Sequence, residues 1–250
     1  MTSLLSTRNL SLRFGGVIAA DNIDFDLQRG ERLAVIGQNG AGKTTFINIC
    51  TGFLKPQSGQ VMFNGQDVTG REPRHLVRMG LGRSFQLPQL FLDHTVRQCL
   101  EIAAAARTGH MSWLTALTDA VDAREVDDTL RLVGLHERSH LPAMALPEGQ
   151  RKLLDVAMAL MLKPQLMIMD EPTSGVGSDS KMQLMDTVMQ ALAERQVTSW
   201  FVEHDIDIVK RYATRVAAWI GGRVAADGTP DDVLNQPQVR QEILGTRLCC

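Results

Sequence analysis

The sequence predicts an α/β protein: a largely parallel sheet, an antiparallel β part near the start, and an inserted block of helices. Three observations predict it. Apolar runs of strand length alternate with amphipathic helical patterns beyond residue 146. The dipeptides Asn64-Gly65 and Gly221-Gly222 stand between strand-like runs, where a hairpin turn needs φ > 0. From about Leu87 to Ala145 the pattern is continuously helical, with Pro88 on one side and Pro142 and Pro147 on the other.

Taken in order, Leu4–Phe14, Ile23–Leu27 and Arg32–Ile36 read as strands separated by Gly-rich or charged turns. Thr44–Cys50 can start a helix, and Val61–Phe63 runs into the Asn64-Gly65 turn. Within the helical block, Val96–Arg107 is Ala-rich and Val121–Val133 repeats apolar residues at three- and four-residue steps. Charged Asp119–Asp128 reads as a solvated face. Helices are then expected over Gln150–Leu162, Ser178–Glu194 and Asp205–Tyr212, and strands over Leu166–Met169 and Thr198–Val202. Arg215–Ile220 and Arg223–Ala226 read as a closing hairpin, and Asp231–Leu248 as a helical tail. The chain thus divides into a core segment 1–86, a helical subdomain 87–145 and a second core segment 146–250.

Composition narrows the function classes. The 250 residues carry 26 Lys plus Arg and 28 Asp plus Glu, a net charge of −2, which gives no general electrostatic grip on nucleic acid. Cys50, Cys99, Cys249 and Cys250 show neither zinc-ligand spacing nor the density of a disulfide scaffold, which suits a reducing compartment. No signal peptide and no membrane-spanning run is read, so the chain is expected to be soluble by itself and held at a membrane only by other subunits.

Gly37-Gln38-Asn39-Gly40-Ala41-Gly42-Lys43-Thr44 fits G-x-x-x-x-G-K-[ST] in full, after a buried-type strand and before a helix. Such a loop turns backbone N–H groups toward phosphate oxygens, and the helix N-terminus adds partial positive charge. Lys43 is expected on the β- and γ-phosphates, and the Thr44 hydroxyl on Mg²⁺. Leu166–Met169 ends in Asp170-Glu171, two carboxylates where an apolar strand leaves its sheet, the edge on which ligands of open α/β sheets gather. Asp170 is placed to support hydrated Mg²⁺ and Glu171 to polarise an attacking water. Trp200-Phe201-Val202 likewise runs into Glu203-His204, so His204 is expected at the same edge, within reach of a γ-phosphate and the water.

These motifs together resemble the ATP-binding subunits of ABC transporters, a P-loop NTPase core of ABC ATPase type. The resemblance runs from Phe14 to His204. It implies that Phe14 stacks on adenine and that Ser84-Phe85-Gln86 is the Q-loop, whose Gln86 touches Mg²⁺ and couples the site to the helical insertion. Leu146-Pro147-Glu148-Gly149-Gln150 resembles the signature loop, and Ser174-Gly175-Val176-Gly177 the D-loop. Two subunits, identical or paralogous, are implied to meet head to tail, each ATP lying between Gly37–Thr45 of one and Leu146–Gln150 of the other. Glu171, His204 and Lys43 would serve hydrolysis. The resemblance further implies transmembrane permease subunits, a solute-binding protein behind them, and a peripheral place on the cytoplasmic face of the inner membrane.

Two departures stand out. Pro147 and Glu148 replace the usual Ser-Gly of L-S-G-G-Q, which removes a hydroxyl and brings a negative charge; Gly177 stands where the D-loop ends in Asp. Gly82–Gln86, Leu90–Val96, Asp227–Pro230 and Ile243–Gly245 are most similar to the branched-chain (hydrophobic) amino acid importers, though urea importers and lipopolysaccharide exporters share parts of that pattern. Two further alternatives are a soluble ABC-type ATPase of DNA repair or translation, which would require salt-sensitive nucleic-acid binding, and a nucleotide-binding regulatory subunit with little hydrolysis, supported by the altered signature and D-loop.

Overall fold

A computed structural model describes residues 3–108, 121–243 and 245. Cys249, Cys250, the end of the expected tail and residues 109–120 of the helical block lie outside the described residues. The chain forms two compact units: Met1–Leu76 with Thr198–Cys250, and Val77–Val197.

In the first unit, β1 (Leu5–Phe14), β2 (Val17–Leu27), β4 (Ser58–Phe63) and β5 (Gln66–Asp67) form an antiparallel sheet in the order β2-β1-β4-β5. Asn64 and Gly65 both have positive φ, 51° and 74°, the turn the dipeptide predicts. The second strand is longer than its apolar run because β2 passes through polar Asp21-Asn22 at a bulge, where Asn22 takes φ 53° and the register with β1 shifts.

The same unit holds the strands β10 (Arg223–Gly228), β9 (Arg215–Ile220), β3 (Arg32–Gly37) and β8 (Thr198–Val202), in that order, with β3 parallel to both neighbours. α1 (Lys43–Cys50) leaves β3 through the glycine-rich loop, and α7 (Ile206–Tyr212) follows β8 with Asp205 capping its N-terminus. Phe46 of α1 packs on Phe25 edge to face at 5.6 Å, on Trp200 at 5.4 Å and on Trp219 at 4.8 Å. Phe46 is fully buried, and truncating such a side chain costs about 3–5 kcal/mol, so this cluster fixes the helix behind the loop. The expected single tail helix is two, α8 (Pro230–Leu234) and α9 (Pro237–Glu242). Pro237 holds Gln236 in the extended region (φ −65°, ψ 134°), which separates them.

In the second unit, β6 (Leu81–Ser84) pairs in parallel with β7 (Leu166–Asp170). Beside them lie α3 (Val96–Thr108), α4 (Ala123–Leu132), α5 (Glu148–Met161) and α6 (Ser178–Glu194). β6 is too short, and too interrupted by Gly82 and Arg83, to read as a strand from pattern alone; tertiary pairing makes it one. The short helix α2 (Pro73–Arg78), which spans the division of the chain at Leu76, is likewise not announced by the sequence pattern. α5 begins two residues earlier than its apolar periodicity, with Pro147 at its N-cap. Arg107 ties α3 to α4 through both Glu125 oxygens at 2.8 Å, and Lys163 adds a third contact at 3.2 Å, so these cations hold the Glu125 carboxyl at about 2. Among the described residues no helix is long and apolar enough to cross a membrane.

Candidate functional site

In the first unit, the loop after β3 supplies a phosphate cradle. Gly42 sits at the α1 N-cap with φ 100° and no side-chain cap, so the helix N-terminus is open to an anion. A Cβ at Gly42 would lie 2.2 Å from the Ala19 carbonyl, and only glycine fits both this approach and the left-handed backbone. Lys43 is buried and folds over the loop, its Nζ donating to the carbonyls of Gly37 at 2.6 Å and Gln38 at 2.9 Å. An ammonium bonded to neutral carbonyls gains stronger, charge-assisted hydrogen bonds when it turns to phosphate oxygens. Thr44 is exposed and Thr45 half-buried at the start of α1, while Gln38, Asn39 and Gly40 are exposed and Ala41 buried. The Gln38 side-chain amide also donates to the Glu242 carbonyl, which brings the end of α9 against the loop.

The Ala19–Gly42 approach puts the β1–β2 hairpin beside this cradle. That hairpin exposes Phe14, Val17 and Ile18, an apolar edge suited to the face of a purine. β8 runs parallel to β3, and the Glu203 N–H donates to the Val35 carbonyl at 3.3 Å, so the chain leaves β8 at the edge where the loop begins. His204, the next residue, is exposed there, and Glu203 is buried. The first unit thus holds Phe14 at the end of β1 in the antiparallel sheet, and Gly37–Thr45 and His204 at the ends of the adjacent parallel strands β3 and β8.

The second unit holds the carboxylates. Asp170 ends β7 and is buried, with Arg83 of β6 3.6 Å away. Burial lowers the Arg83 guanidinium's affinity for its proton, and Asp170 opposes that shift. Glu171 follows with φ 52°, a left-handed conformation unusual for a residue with a Cβ. Such backbone strain recurs where a side chain must be aimed. Gln86 Nε2 donates to Glu171 Oε2 at 2.9 Å, so the amide expected on Mg²⁺ touches the carboxylate expected to handle water.

Pro147, Glu148, Gly149 and Gln150 line a cavity of about 470 Å³ together with Gly175, Val176 and Gly177. Leu146 is buried beneath. Gln150 accepts from Arg138 at 2.6 Å. Glu148 folds toward the D-loop: a Cβ at Gly175, which has φ 76°, would stand 2.1 Å from Glu148 Oε1. The two departures from the usual motifs therefore line one cavity, and the Glu148 carboxylate is accommodated by the bare Gly175 rather than by Gly177.

Three further side chains in this unit escape motif reasoning: Arg83, Lys152 and Asp155. Lys152 Nζ donates to the Gln86 carbonyl at 3.1 Å and the Glu171 carbonyl at 3.4 Å, and Asp155 Oδ2 accepts from the Phe85 N–H at 3.3 Å. Burial pushes the Asp155 carboxyl up to about 6, opposed by hydrogen bonds from Ser84, Phe85 and Gln89 and by Lys152. A lone Asp in the apolar run Leu153–Leu160 is the one signal that could have flagged it. In the same unit Leu87, Phe91, Leu92 and Met144 are exposed, and the Met144 N–H donates to the Leu92 carbonyl at 3.1 Å, which places those two residues side by side.

A phosphate loop opening a helix from a parallel strand, with an antiparallel sheet and a helical block in the same chain, defines a nucleotide-binding cassette. The structure is similar to a solved ATP-binding cassette of an ABC transporter in its ADP conformation, at TM-score 0.83 and 29% identity, covering 98% of this chain and 100% of that one. The family model for ABC transporter domains matches residues 20–174. The chain is 35% identical to the probable branched-chain amino acid transport ATP-binding protein LivG of Archaeoglobus fulgidus, over 98% of this chain and 96% of that protein. It is 32% identical to the high-affinity branched-chain amino acid transport ATP-binding protein LivG of Escherichia coli, over 97% of this chain and 98% of that protein. The chain belongs to the ABC transporter family, as one of its ATP-hydrolysing members.

Proposed function

We propose that this chain binds and hydrolyses ATP to drive import of branched-chain or related small amino-acid-like solutes through separate permease subunits. The observation that carries this reading is the similarity, over almost the whole chain, to proteins named for branched-chain amino acid transport. The exposed Leu87, Phe91, Leu92 and Met144 of the second unit support it as candidates for contact with the permease, because exposed large apolar side chains that cluster mark interaction surfaces. The chain then sits peripherally on the cytoplasmic face of the membrane, two copies or paralogues acting as a pair.

In this reading Phe14 covers adenine, the backbone of Gly37–Thr45 cradles the phosphates, and Lys43 leaves the Gly37 and Gln38 carbonyls for the β- and γ-phosphates. By the family resemblance, the Thr44 hydroxyl, the Asp170 carboxylate and the Gln86 amide oxygen would hold Mg²⁺, being the oxygen donors a hard cation prefers, and the ion would supply charge neutralisation for the transferred phosphoryl group. Glu171 accepts hydrogen bonding from the attacking water and orients it in line with the γ-phosphate, after release of the Gln86 contact to Oε2. His204 contacts the γ-phosphate from the end of β8. The Leu146–Gln150 loop of one subunit closes over the nucleotide of the other. Since Glu148 is turned onto Gly175, closure relies on Gly149 and backbone groups rather than on a serine hydroxyl.

Co-purification with the membrane subunits, followed by ATPase measurements with solute-loaded binding proteins, tests the proposal. Stimulation by a leucine-, isoleucine- or valine-loaded binding protein is the expected result. Stimulation only by an unrelated solute, or an ATPase that never co-purifies with a permease, would overturn the assignment of cargo or of transport.

A further inference from the structure

We infer that Lys152 is a positioning residue for hydrolysis: from the helix that follows the Leu146–Gln150 loop, its ammonium holds the backbone carbonyls of Gln86 and Glu171 together. The inference rests on the assignment of Glu171 and Gln86 made above. Lys152 is buried, and its Nζ stands 3.1 Å from the Gln86 oxygen and 3.4 Å from the Glu171 oxygen. One turn further along the same face of α5, Asp155 accepts from the Phe85 N–H at 3.3 Å. A single helix thus grips two consecutive residues of the Q-loop and the residue that carries the water-handling carboxylate.

The physical reason for a lysine here lies in Glu171. Its φ of 52° places the backbone in a region that costs about 1–2 kcal/mol for a residue with a Cβ. That backbone setting aims the carboxylate. A charge-assisted hydrogen bond to the Glu171 carbonyl fixes the orientation of that peptide, and the shared ammonium fixes the Q-loop peptide relative to it. Core stability alone does not call for a cation, since burying one costs free energy that an apolar side chain of similar size would not. The grip also ties the two catalytic peptides to the helix that begins at Glu148, so movement of that helix is felt at Glu171.

The test uses the full-length chain carrying Lys152→Met, Lys152→Arg or Glu171→Gln, with steady-state phosphate release, equilibrium ATP binding and thermal melting for each. A displaced carboxylate of order 1 Å costs about 100-fold, so Lys152→Met is expected to lower kcat by about 10- to 100-fold. KM and ATP affinity should stay within about twofold, because ground-state binding is untouched. Lys152→Arg keeps a donor for both carbonyls and should recover most of kcat. Should Lys152→Met fail to fold, Lys152→Leu, which likewise removes the donor, is read in the same way. A folded Met or Leu variant with wild-type kcat overturns the inference, as does a rise in KM with kcat unchanged, or an Arg variant as slow as the Met variant. If wild-type turnover is insensitive to Glu171→Gln, it is the assignment of Glu171 that fails; if that control loses turnover and Lys152→Met does not, only the role of Lys152 fails.

Discussion

In the loop Gly37–Thr45, nine consecutive residues supply what a phosphate needs: glycine backbone, a helix N-terminus and one lysine already curled over the loop. The region around Glu171 is assembled differently. Arg83 and Gln86 come from the end of β6, Lys152 and Asp155 from α5, Asp170 and Glu171 from the end of β7, and the carboxylate rests on a left-handed backbone. A cradle made mostly of backbone tolerates change in its side chains, Lys43 apart, but not in its glycines. A cluster made of distant side chains is sensitive at every member, and its failures should appear in turnover before binding.

Substitutions can break that contrast. Glu171→Gln is expected to show the largest effect, a loss of about 10²–10³-fold in kcat with ATP affinity kept, read by phosphate release beside equilibrium dialysis. Retained nucleotide should also hold the paired cassettes closed, visible as a larger species in ATP-containing gel filtration. Lys43→Ala has the complementary signature. Loss of its charge-assisted contacts to phosphate should weaken ATP binding by about 10- to 100-fold, and unchanged affinity would remove Lys43 from the cradle.

Smaller effects sharpen the comparison. Gly42→Ala places a Cβ 2.2 Å from the Ala19 carbonyl on a backbone at φ 100°, so we expect about 1–3 kcal/mol lower stability in urea denaturation together with weakened ATP binding. An alanine variant with wild-type denaturation and affinity would show that the β1–β2 hairpin does not press on the loop.

Acidity should act with opposite signs at two carboxylates of the second unit. Glu125, held at about 2 by Arg107 and Lys163, contributes stability that is present above its unfolded value near 4.5 and lost as pH falls toward 2. Asp155, pushed up to about 6 by burial, binds its proton more tightly when folded than when unfolded, where its value is near 3.8. Stability from that group therefore declines as pH rises from about 4 to 6 and is flat above. Replacing Asp155 by Asn removes this slope, so the melting-temperature advantage of the variant over wild type should grow across that window. A difference independent of pH would place the Asp155 titration elsewhere.

What the sequence by itself determined is local. The glycine loop, the two carboxylates closing an apolar strand, the Asn64-Gly65 turn and the helix Ser178–Glu194 are each written in a run of neighbouring residues, because backbone conformation and periodicity act over a few positions. The same locality made β6 and the split of the tail at Pro237 illegible as elements, since a four-residue strand exists only by virtue of its partner. Tertiary structure alone decided that Lys152 reaches the Gln86 and Glu171 carbonyls, that Asp155 holds Phe85, and that Glu148 folds onto Gly175. A motif names the group that does the chemistry. The side chains that aim it are fixed by burial and by carbonyls far away in the chain, and no spacing rule along the sequence encodes those.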